Sequence, residues 1–181
     1  MPPAPIAGRH TGKVAIITGS GQGIGRGLAE HFAAEGAHVV VAEYNKANAE
    51  TVAHEISKLG AEALAYPIDI GDTEQIDKMV KDVESHFGQI DILVNAAGRT
   101  FRKPTTQVTE ADWNGLMDTN LTGMLRACQS FYEPLAAHKR GRVINIASLS
   151  SFVSLYEVAA YAASKSAVLS LTKSLAIEWA K

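Results

Sequence analysis

The stretch VAIITGSGQGIG, residues 14–25, decides which fold the chain is expected to adopt. Its first five residues are apolar or β-branched, which is typical of a short strand. Glycines then recur at positions 19, 21, 23 and 25, and helical apolar periodicity follows them. A strand, a glycine-rich turn and a helix in this order predict the first unit of an alternating β/α fold.

The glycine-rich turn also predicts a phosphate-binding site. Glycines let the backbone approach a pyrophosphate closely, and a helix N-terminus directs unpaired amides and positive dipole at it. A Walker loop is excluded because no Gly-Lys-Ser/Thr follows, and G-x-G-x-x-G does not fit in any register. The wider spacing Gly19-x-x-x-Gly23-x-Gly25 does fit. The position of this turn between a first strand and a first helix favours a nucleotide site.

Beyond residue 25, short β-rich runs alternate with longer amphipathic stretches. This alternation predicts one domain with an open, doubly wound α/β sheet of parallel strands. Strands are expected at residues 14–18, 39–43, 63–68, 92–95 and 143–147. Helices are expected at residues 25–34, 46–59, 73–87, 110–137 and 159–180. The last strand would form an exposed sheet edge unless another chain or further sequence covered it.

Local signals mark several of these helix boundaries. Asp72 with Gln75, and Thr109 with Asp112, have the spacing of residues that cap a helix start. Glycines at positions 36, 60 and 88 stand where helices are expected to end.

Composition excludes several function classes. A chain of 181 residues with 46% hydrophobic residues can form one sizeable core. Its net charge of −2 offers no basic surface for nucleic acid or an anionic membrane, and no apolar run is long enough to span a bilayer. Cys128 is the single cysteine, so a disulfide framework is excluded within one chain, which suits a cytoplasmic protein. Residues 1–11 are expected to form a flexible arm before a domain at 12–181.

Glu43 is expected at the carboxyl end of the second strand, about twenty residues after the glycine loop. An acidic residue there can accept hydrogen bonds from adenosine ribose hydroxyls and would repel a 2′-phosphate. The neighbouring Gln22, Tyr44 and Asn45 provide no cation for such a phosphate, and Lys46 is the nearest one. The pattern favours NAD over NADP, although Glu43 could also be an ordinary exposed strand end.

Tyr161 and Lys165 lie four residues apart in YAASK, a spacing that stacks a phenol and an ammonium on one helix face. A phenol in water titrates at about pH 10, so proton transfer near neutral pH needs stabilisation of the phenolate. A neighbouring lysine and a cationic cofactor can supply it. Taken alone, the pair could equally be two surface side chains.

In combination, the motifs resemble the short-chain dehydrogenase/reductase family of the classical type. The resemblance rests on the glycine loop, on Asn-Ala-Ala-Gly at residues 95–98 and on Tyr-x-x-x-Lys, in family order and spacing. It extends from residue 13 to the last residue and implies a Rossmann-like domain. Two further positions match the family's active-site set. These are Ser148, thirteen residues before the tyrosine, and Asn120 in the predicted long helix.

The resemblance implies a role for each residue of this set. Tyr161 would exchange a proton with the substrate oxygen as a hydride moves to or from nicotinamide. Ser148 would hydrogen-bond that oxygen, and Lys165 would stabilise the phenolate and hold the nicotinamide ribose. Asn120 would position a water that links Lys165 to solvent. Each of two residues also has a structural alternative to its catalytic role. Ser148 could be a turn residue at the end of a strand, and Asn120 could be a helix residue bonded to backbone.

The resemblance also assigns cofactor contacts after the third and fourth strands. Asp69 and Ile70 would form the adenine pocket, although Asp69 could instead cap a turn. The full predicted NAD-binding set is Gly19, Gln22, Gly23, Ile24, Gly25, Glu43, Asp69, Ile70, Asn95, Ala96, Gly98, Tyr161 and Lys165.

Family members commonly pair through their two long helices, so a homo-oligomer, a dimer or a tetramer, is expected. Members also continue beyond the position of Lys181 with the segment that covers the substrate, which implies that this chain lacks it. The C-terminal sequence is similar to members that act on sugar acids and polyols. The sequence therefore predicts an NAD-dependent dehydrogenase of a small-molecule secondary alcohol. A 3-oxoacyl-carrier-protein reductase and a non-catalytic NAD-binding protein are the alternatives.

Overall fold

The computed structural model describes residues 8–137 and 139–180. Its centre is one sheet of five parallel strands in the order β3-β2-β1-β4-β5. The strands are β1 (Val14–Thr18), β2 (His38–Glu43), β3 (Ala63–Pro67), β4 (Ile92–Asn95) and β5 (Arg142–Asn145). The predicted doubly wound α/β sheet is confirmed, and only the ends of the strands differ from the prediction.

Helices connect the strands and cover both faces of the sheet. They are α1 (Gly23–Ala34), α2 (Lys46–Ser57), α3 (Thr73–Phe87), α4 (Glu110–Met117), α5 (Gly123–Ser130), α6 (Tyr132–Ala137) and α7 (Ala159–Trp179). The predicted caps are present: Asp72 accepts hydrogen bonds from two amides at the start of α3, and Thr109 forms a capping box with Asp112. Among the described helices, none has the length and apolar character needed to cross a membrane.

The prediction of one continuous helix over residues 110–137 is wrong. After α4 the chain makes a π-helical turn, Asp118–Thr122, and α5 then ends at Ser130. Pro134 explains the second break, because proline has no N–H to donate to the carbonyl of Ser130. The π turn coincides with complete burial of Asn120. The extra residue of a π turn turns that side chain inward, a position that a regular helix would not give it.

The two faces of the sheet bury separate hydrophobic clusters. Along β1, Val14 and Ile16 contact the cluster covered by α3 and α5, whereas Ala15 and Ile17 contact the cluster covered by α1 and α2. This alternation follows from the period of two along a strand. Burial on both faces explains the uninterrupted apolar run at residues 14–17, because every one of these side chains is inside.

The direction of chain progression reverses between β1 and β4. From β1 the chain adds β2 and β3 on one side, and it then returns to add β4 and β5 on the other. In an open α/β sheet such a reversal leaves a crevice at the carboxyl ends of the strands, where ligands bind. Within the described residues β5 pairs only with β4, and Ile144 is 41% exposed, so the predicted edge strand is present.

Part of the predicted N-terminal arm lies outside the described residues, namely residues 1–7. Residues 8–12 form turns, and the amide of His10 donates to the carbonyl of Glu35 at the end of α1.

Candidate active site

A cavity of about 800 Å³ opens at the chain reversal, above the carboxyl ends of the central strands. Twelve of the predicted site residues line it: Gly19, Gln22, Gly23, Ile24, Gly25, Glu43, Asp69, Ile70, Ala96, Gly98, Tyr161 and Lys165. The other three predicted residues, Asn95, Asn120 and Ser148, do not line it, but each is adjacent in sequence to a residue that does. The volume is within the range of small-molecule and cofactor sites.

The glycine loop packs directly against the backbone that follows β4. Gly19 has a φ of +65°, and a Cβ atom there would lie 2.6 Å from the Cα of Ala97. A Cβ atom on Gly25 would overlap the carbonyl oxygen of Gly19. The Thr18 hydroxyl accepts hydrogen bonds from the amides of Ala96 and Ala97, each at 3.2 Å, and so joins the two loops. Only glycine permits this approach of two backbones.

The N-terminus of α1 faces this cavity with unpaired amides. In the described structure Gln22 occupies the N-cap position without a side-chain hydrogen bond to the helix. The first amides of a helix have no partner within the helix, and they carry the positive end of its dipole. The loop and α1 thus fit the pyrophosphate of a dinucleotide.

Glu43 ends β2 at the rim of the cavity. Its Oε2 accepts a hydrogen bond from the Gly21 amide at 2.9 Å, and its Oε1 accepts one from the Asn45 amide at 3.1 Å. Each carboxylate oxygen can accept a further hydrogen bond. Lys46 forms an ion pair with Glu50 on α2 at 3.7 Å. At the end of β2, the charge presented to the cavity is therefore that of the Glu43 carboxylate.

Asp69 and Ile70 follow β3 and line the same end of the cavity. Asp69 Oδ1 accepts a hydrogen bond from the Gly71 amide at 2.8 Å. This oxygen therefore caps the turn, as the alternative interpretation of Asp69 expects. The same residue contributes to the cavity wall, and the two roles are compatible because a carboxylate has two oxygens.

Tyr161 and Lys165 lie together in the first turns of α7, as the spacing predicts. Lys165 is only 4% exposed, its Nζ donates to the carbonyl of Ile146 at 2.6 Å, and it lies 5.9 Å from the centre of the Tyr161 ring. Burial lowers the pKa of the Lys165 ammonium, because the charged form loses hydration that one carbonyl does not replace. A buried ammonium with one carbonyl partner is costly to the fold, and this one lies beside the Tyr161 ring.

Replacing Lys165 with methionine should stabilise the protein without cofactor by about 1–2 kcal/mol near neutral pH, because it removes a poorly compensated buried charge. In the wild type, burial of the Lys165 ammonium costs the most free energy at pH values below its lowered pKa in the folded state. This cost disappears as the pH rises to the pKa of lysine in the unfolded chain, about 10.4. The difference between the two proteins in thermal unfolding should therefore shrink from pH 7 to pH 10. Lys173→Met, an exposed change on the same helix, is the control. Equal unfolding temperatures of Lys165→Met and wild type at pH 7 would contradict the expectation.

Both polar atoms of the Asn120 side chain form hydrogen bonds to neighbouring segments of the chain. Its Oδ1 accepts the Arg99 amide at 2.8 Å, and its Nδ2 donates to the Arg99 carbonyl at 2.9 Å and to Ser164 Oγ at 3.1 Å. These bonds fix the backbone after β4 relative to α7, which carries Tyr161. The predicted water-positioning role of Asn120 stays a prediction.

Ser148 begins a short 3₁₀ turn, Leu149–Ser151, directly after the cavity residue Ala147. Its Oγ accepts a hydrogen bond from the Ser150 amide at 3.1 Å. Because the hydroxyl acts here as acceptor, its proton stays free for donation to a further oxygen. The turn-residue alternative and the predicted substrate contact are therefore compatible.

Asn95 directly precedes the cavity residue Ala96. Its Nδ2 donates to Asn145 Oδ1 at 2.9 Å and so ties β4 to β5. The same amide lies 3.4 Å from the buried sulfur of Cys128, and burial raises the pKa of that thiol to about 11. Cys128 is therefore a protonated core residue rather than a nucleophile.

The structure adds cavity residues that the sequence did not single out, and the most polar of them are Arg99, Thr100 and Thr119. Arg99 directly follows the Asn-Ala-Ala-Gly motif, and Thr119 directly precedes Asn120. Adjacency to a motif is thus the one signal that could have pointed to them.

Comparisons with known proteins give the family. The model of the short chain dehydrogenase family matches residues 13–181. An NAD-dependent glycerol dehydrogenase of Listeria innocua is 36% identical over 94% of this chain and 66% of its own length. A 5-keto-D-gluconate 5-reductase of Escherichia coli is 35% identical over 94% of this chain and 67% of its own length.

A solved structure shows the same fold. The gluconate 5-dehydrogenase of Burkholderia cenocepacia, in complex with NADP and tartrate, is 37% identical, with a TM-score of 0.90 over 95% of this chain and 68% of that one. The chain thus spans about two thirds of the length of these three relatives. With the family match over 13–181 and relatives above 30% identity, the chain belongs to the short chain dehydrogenase family of nicotinamide-dependent oxidoreductases.

Proposed function

We propose that the protein is an NAD-dependent dehydrogenase that interconverts a secondary alcohol and its ketone, with a sugar acid or a polyol as substrate. The observation that carries the proposal is the sharing of one cavity by a phosphate-binding loop, the Glu43 carboxylate and the Tyr161–Lys165 pair. A dinucleotide bound there would supply the hydride acceptor or donor of the reaction.

In the oxidation direction, Tyr161 would accept the proton of the substrate hydroxyl as the carbon–hydrogen bond breaks. In reduction, the same phenol would return a proton to the carbonyl oxygen. Lys165, buried beside the ring, stabilises the phenolate that proton donation leaves. Ser148 can donate its free hydroxyl proton to the substrate oxygen, on which negative charge develops.

Glu43 supports NAD as the cofactor. Its two carboxylate oxygens are held by the backbone amides of Gly21 and Asn45, so the negative charge stays at the rim where an adenosine ribose would lie. A 2′-phosphate there would meet this charge, while Lys46 is engaged with Glu50. Relatives differ in this respect, since one is named NAD-dependent and another was solved with NADP.

Replacing Glu43 with glutamine should increase the affinity for NADPH by about five- to tenfold, because it removes a like charge from the 2′-phosphate. The affinity for NADH should fall by only a few-fold, because an uncharged acceptor remains. Fluorescence titration with NADH and NADPH measures both constants. Glu62→Gln, at the amino end of β3, is the control. Tighter binding of NADPH than NADH by the wild type would refute the assignment of NAD.

Two findings support a sugar acid or a polyol as the substrate. The relatives include enzymes named for glycerol and for 5-keto-D-gluconate, and the polar Thr100 lines the same cavity as Tyr161. The substrate class can be tested with a panel of polyols, sugar acids and simple secondary alcohols. The rate of NAD reduction is followed for each compound at one fixed NAD concentration. Turnover of a 3-oxoacyl thioester in preference to all of these would support the reductase alternative.

Binding of NADH without turnover of any alcohol in the panel would favour a non-catalytic NAD-binding protein. We expect a cytoplasmic homo-oligomer, a dimer or a tetramer, formed through the helical segment that contains Asn120 and through α7, as the family resemblance implies. Light scattering of the purified protein measures the assembly.

A further inference from the structure

Arg99 is held rigidly at the wall of the cavity. Its amide and its carbonyl both bond to the Asn120 side chain, at 2.8 and 2.9 Å. The residue before it, Gly98, is so placed that a Cβ there would lie 3.7 Å from Lys165 Nζ. The backbone from which the arginine side chain starts is thus fixed between the catalytic lysine and a buried asparagine.

The guanidinium group extends from this point along α4. Its Nη1 lies 3.6 Å from the position that a Cβ on Gly115 would take. Thr119, in the π turn that follows α4, donates a hydrogen bond to the Gly115 carbonyl at 3.1 Å and lines the cavity. The next residue back, Asp118, lies 3.1 Å from a Cβ built on Gly71, in the loop of Asp69. Asp118 thus contacts the loop that carries Asp69, and Arg99 and Asp69 line the same cavity.

The charge of Arg99 is not neutralised by the protein. Over residues 8–137 and 139–180, Arg99 forms no ion pair, whereas Arg26 and Arg126 pair with carboxylates at 2.7 and 2.8 Å. Asp69 lines the same cavity but does not reach Arg99, and its Oδ1 is engaged with the Gly71 amide. The guanidinium-bearing Arg99 and the carboxylate-bearing Asp69 thus line one cavity without forming an ion pair with each other.

This pair of groups suits a particular ligand chemistry. A guanidinium is planar and weakly hydrated, and it binds well over the face of an aromatic ring. A carboxylate accepts a hydrogen bond from an amino group at the edge of such a ring. A flat heteroaromatic ring with an exocyclic amino group satisfies both, and adenine is such a ring.

We infer that Arg99 is a cofactor-binding residue whose guanidinium lies over the adenine ring, with Asp69 at the ring's amino edge. The inference rests on the proposed function, because that function supplies the dinucleotide. It adds a contact that neither the motifs nor the family resemblance assigned.

Replacing Arg99 with methionine, which keeps a long side chain, should weaken binding of NADH and of ADP-ribose by about tenfold each. Binding of reduced nicotinamide mononucleotide, which lacks adenosine, should not change. Arg99→Lys, which keeps the charge and loses the plane, should restore little of the affinity. Arg102→Met, an exposed arginine three residues further on, is the matched control and should bind all three ligands as the wild type does. Circular dichroism verifies that each variant is folded.

Three results would overturn the inference. They are an ADP-ribose affinity of Arg99→Met equal to wild type, full recovery of affinity in Arg99→Lys, and equal weakening of the mononucleotide. A raised KM for carboxylate substrates with unchanged ADP-ribose binding would likewise overturn it and assign the guanidinium to the substrate. Failure of the wild type to bind NADH would instead contradict the proposed function, and ADP-ribose binding would still decide the role of Arg99.

Discussion

Replacement of Tyr161 by phenylalanine should lower kcat for a secondary alcohol by at least about a hundredfold. The substitution removes one hydroxyl, the group that we propose exchanges a proton with the substrate oxygen, and leaves the ring that lines the cavity. Because the ring remains, the dissociation constant for NADH should stay within about twofold of wild type. Steady-state kinetics measures the first quantity and fluorescence titration the second.

Tyr156→Phe is the matched control for this experiment. Tyr156 lies in the loop just before α7, is 79% exposed, and has Ala160 instead of lysine four residues later. We expect wild-type kcat for this variant. Retention of full activity by Tyr161→Phe would refute the proton-transfer role, and an equal loss in both variants would assign the effect to the loop rather than to the phenol.

Replacement of Gly25 by alanine should weaken NADH binding by about a hundredfold or more and destabilise the fold by about 3 kcal/mol. The added Cβ would overlap the Gly19 carbonyl oxygen and lie 2.8 Å from the Gly19 carbonyl carbon. Both are backbone atoms of the glycine loop, so the loop can make room only by moving. Titration with NADH and thermal unfolding measure the two effects.

Gly27→Ala controls for the loss of glycine itself. Gly27 lies two residues further along α1, and a Cβ there meets no atom within 4 Å among the described residues. Alanine should therefore stabilise the helix by about 0.5–1 kcal/mol and leave NADH binding unchanged. A Gly25→Ala protein that binds NADH as tightly as Gly27→Ala does would show that the loop can open, contrary to the packing described.

Local sequence signals predicted those parts of the fold that short-range physics determines. The apolar run at 14–17 predicted a strand because short β-rich apolar runs followed by turn residues are typical of strands. Asp72 and Thr109 predicted helix starts because their side chains accept hydrogen bonds from amides two or three residues later. Gly88 predicted a helix end because it adopts a φ of +75° without strain.

Long-range contacts explain what the sequence did not reveal. The first break within residues 110–137, the π turn, coincides with the contacts of Asn120 to Arg99 and Ser164, residues 21 and 44 positions away. Glu157 adopts a φ of +62°, and its carbonyl accepts the Lys103 amide at 2.9 Å across two loops. No local pattern encodes such pairings, because the partners come together only when the sheet has formed.

The residues of the candidate site likewise fall into those that local sequence signals predicted and those that depend on long-range contacts. Gly19, Glu43 and Tyr161 were predicted because glycine, carboxylate and phenol at fixed positions in a βα unit have few other uses. Arg99 was not predicted, because an arginine in a loop is usually solvated. Its place on the cavity wall depends on the two bonds that Asn120 makes to its backbone.

The π-helical turn at Asp118–Thr122 amounts to a one-residue insertion in a helix. In an α-helix each residue advances the chain by about 100° around the axis. Deleting one residue here would restore regular geometry, but it would rotate either Asn120 away from Arg99 or Cys128 out of the core. Asn120 and Cys128 are both buried, and a regular helix, with or without the extra residue, would bury only one of them. The burial of both side chains therefore fixes the length of this segment.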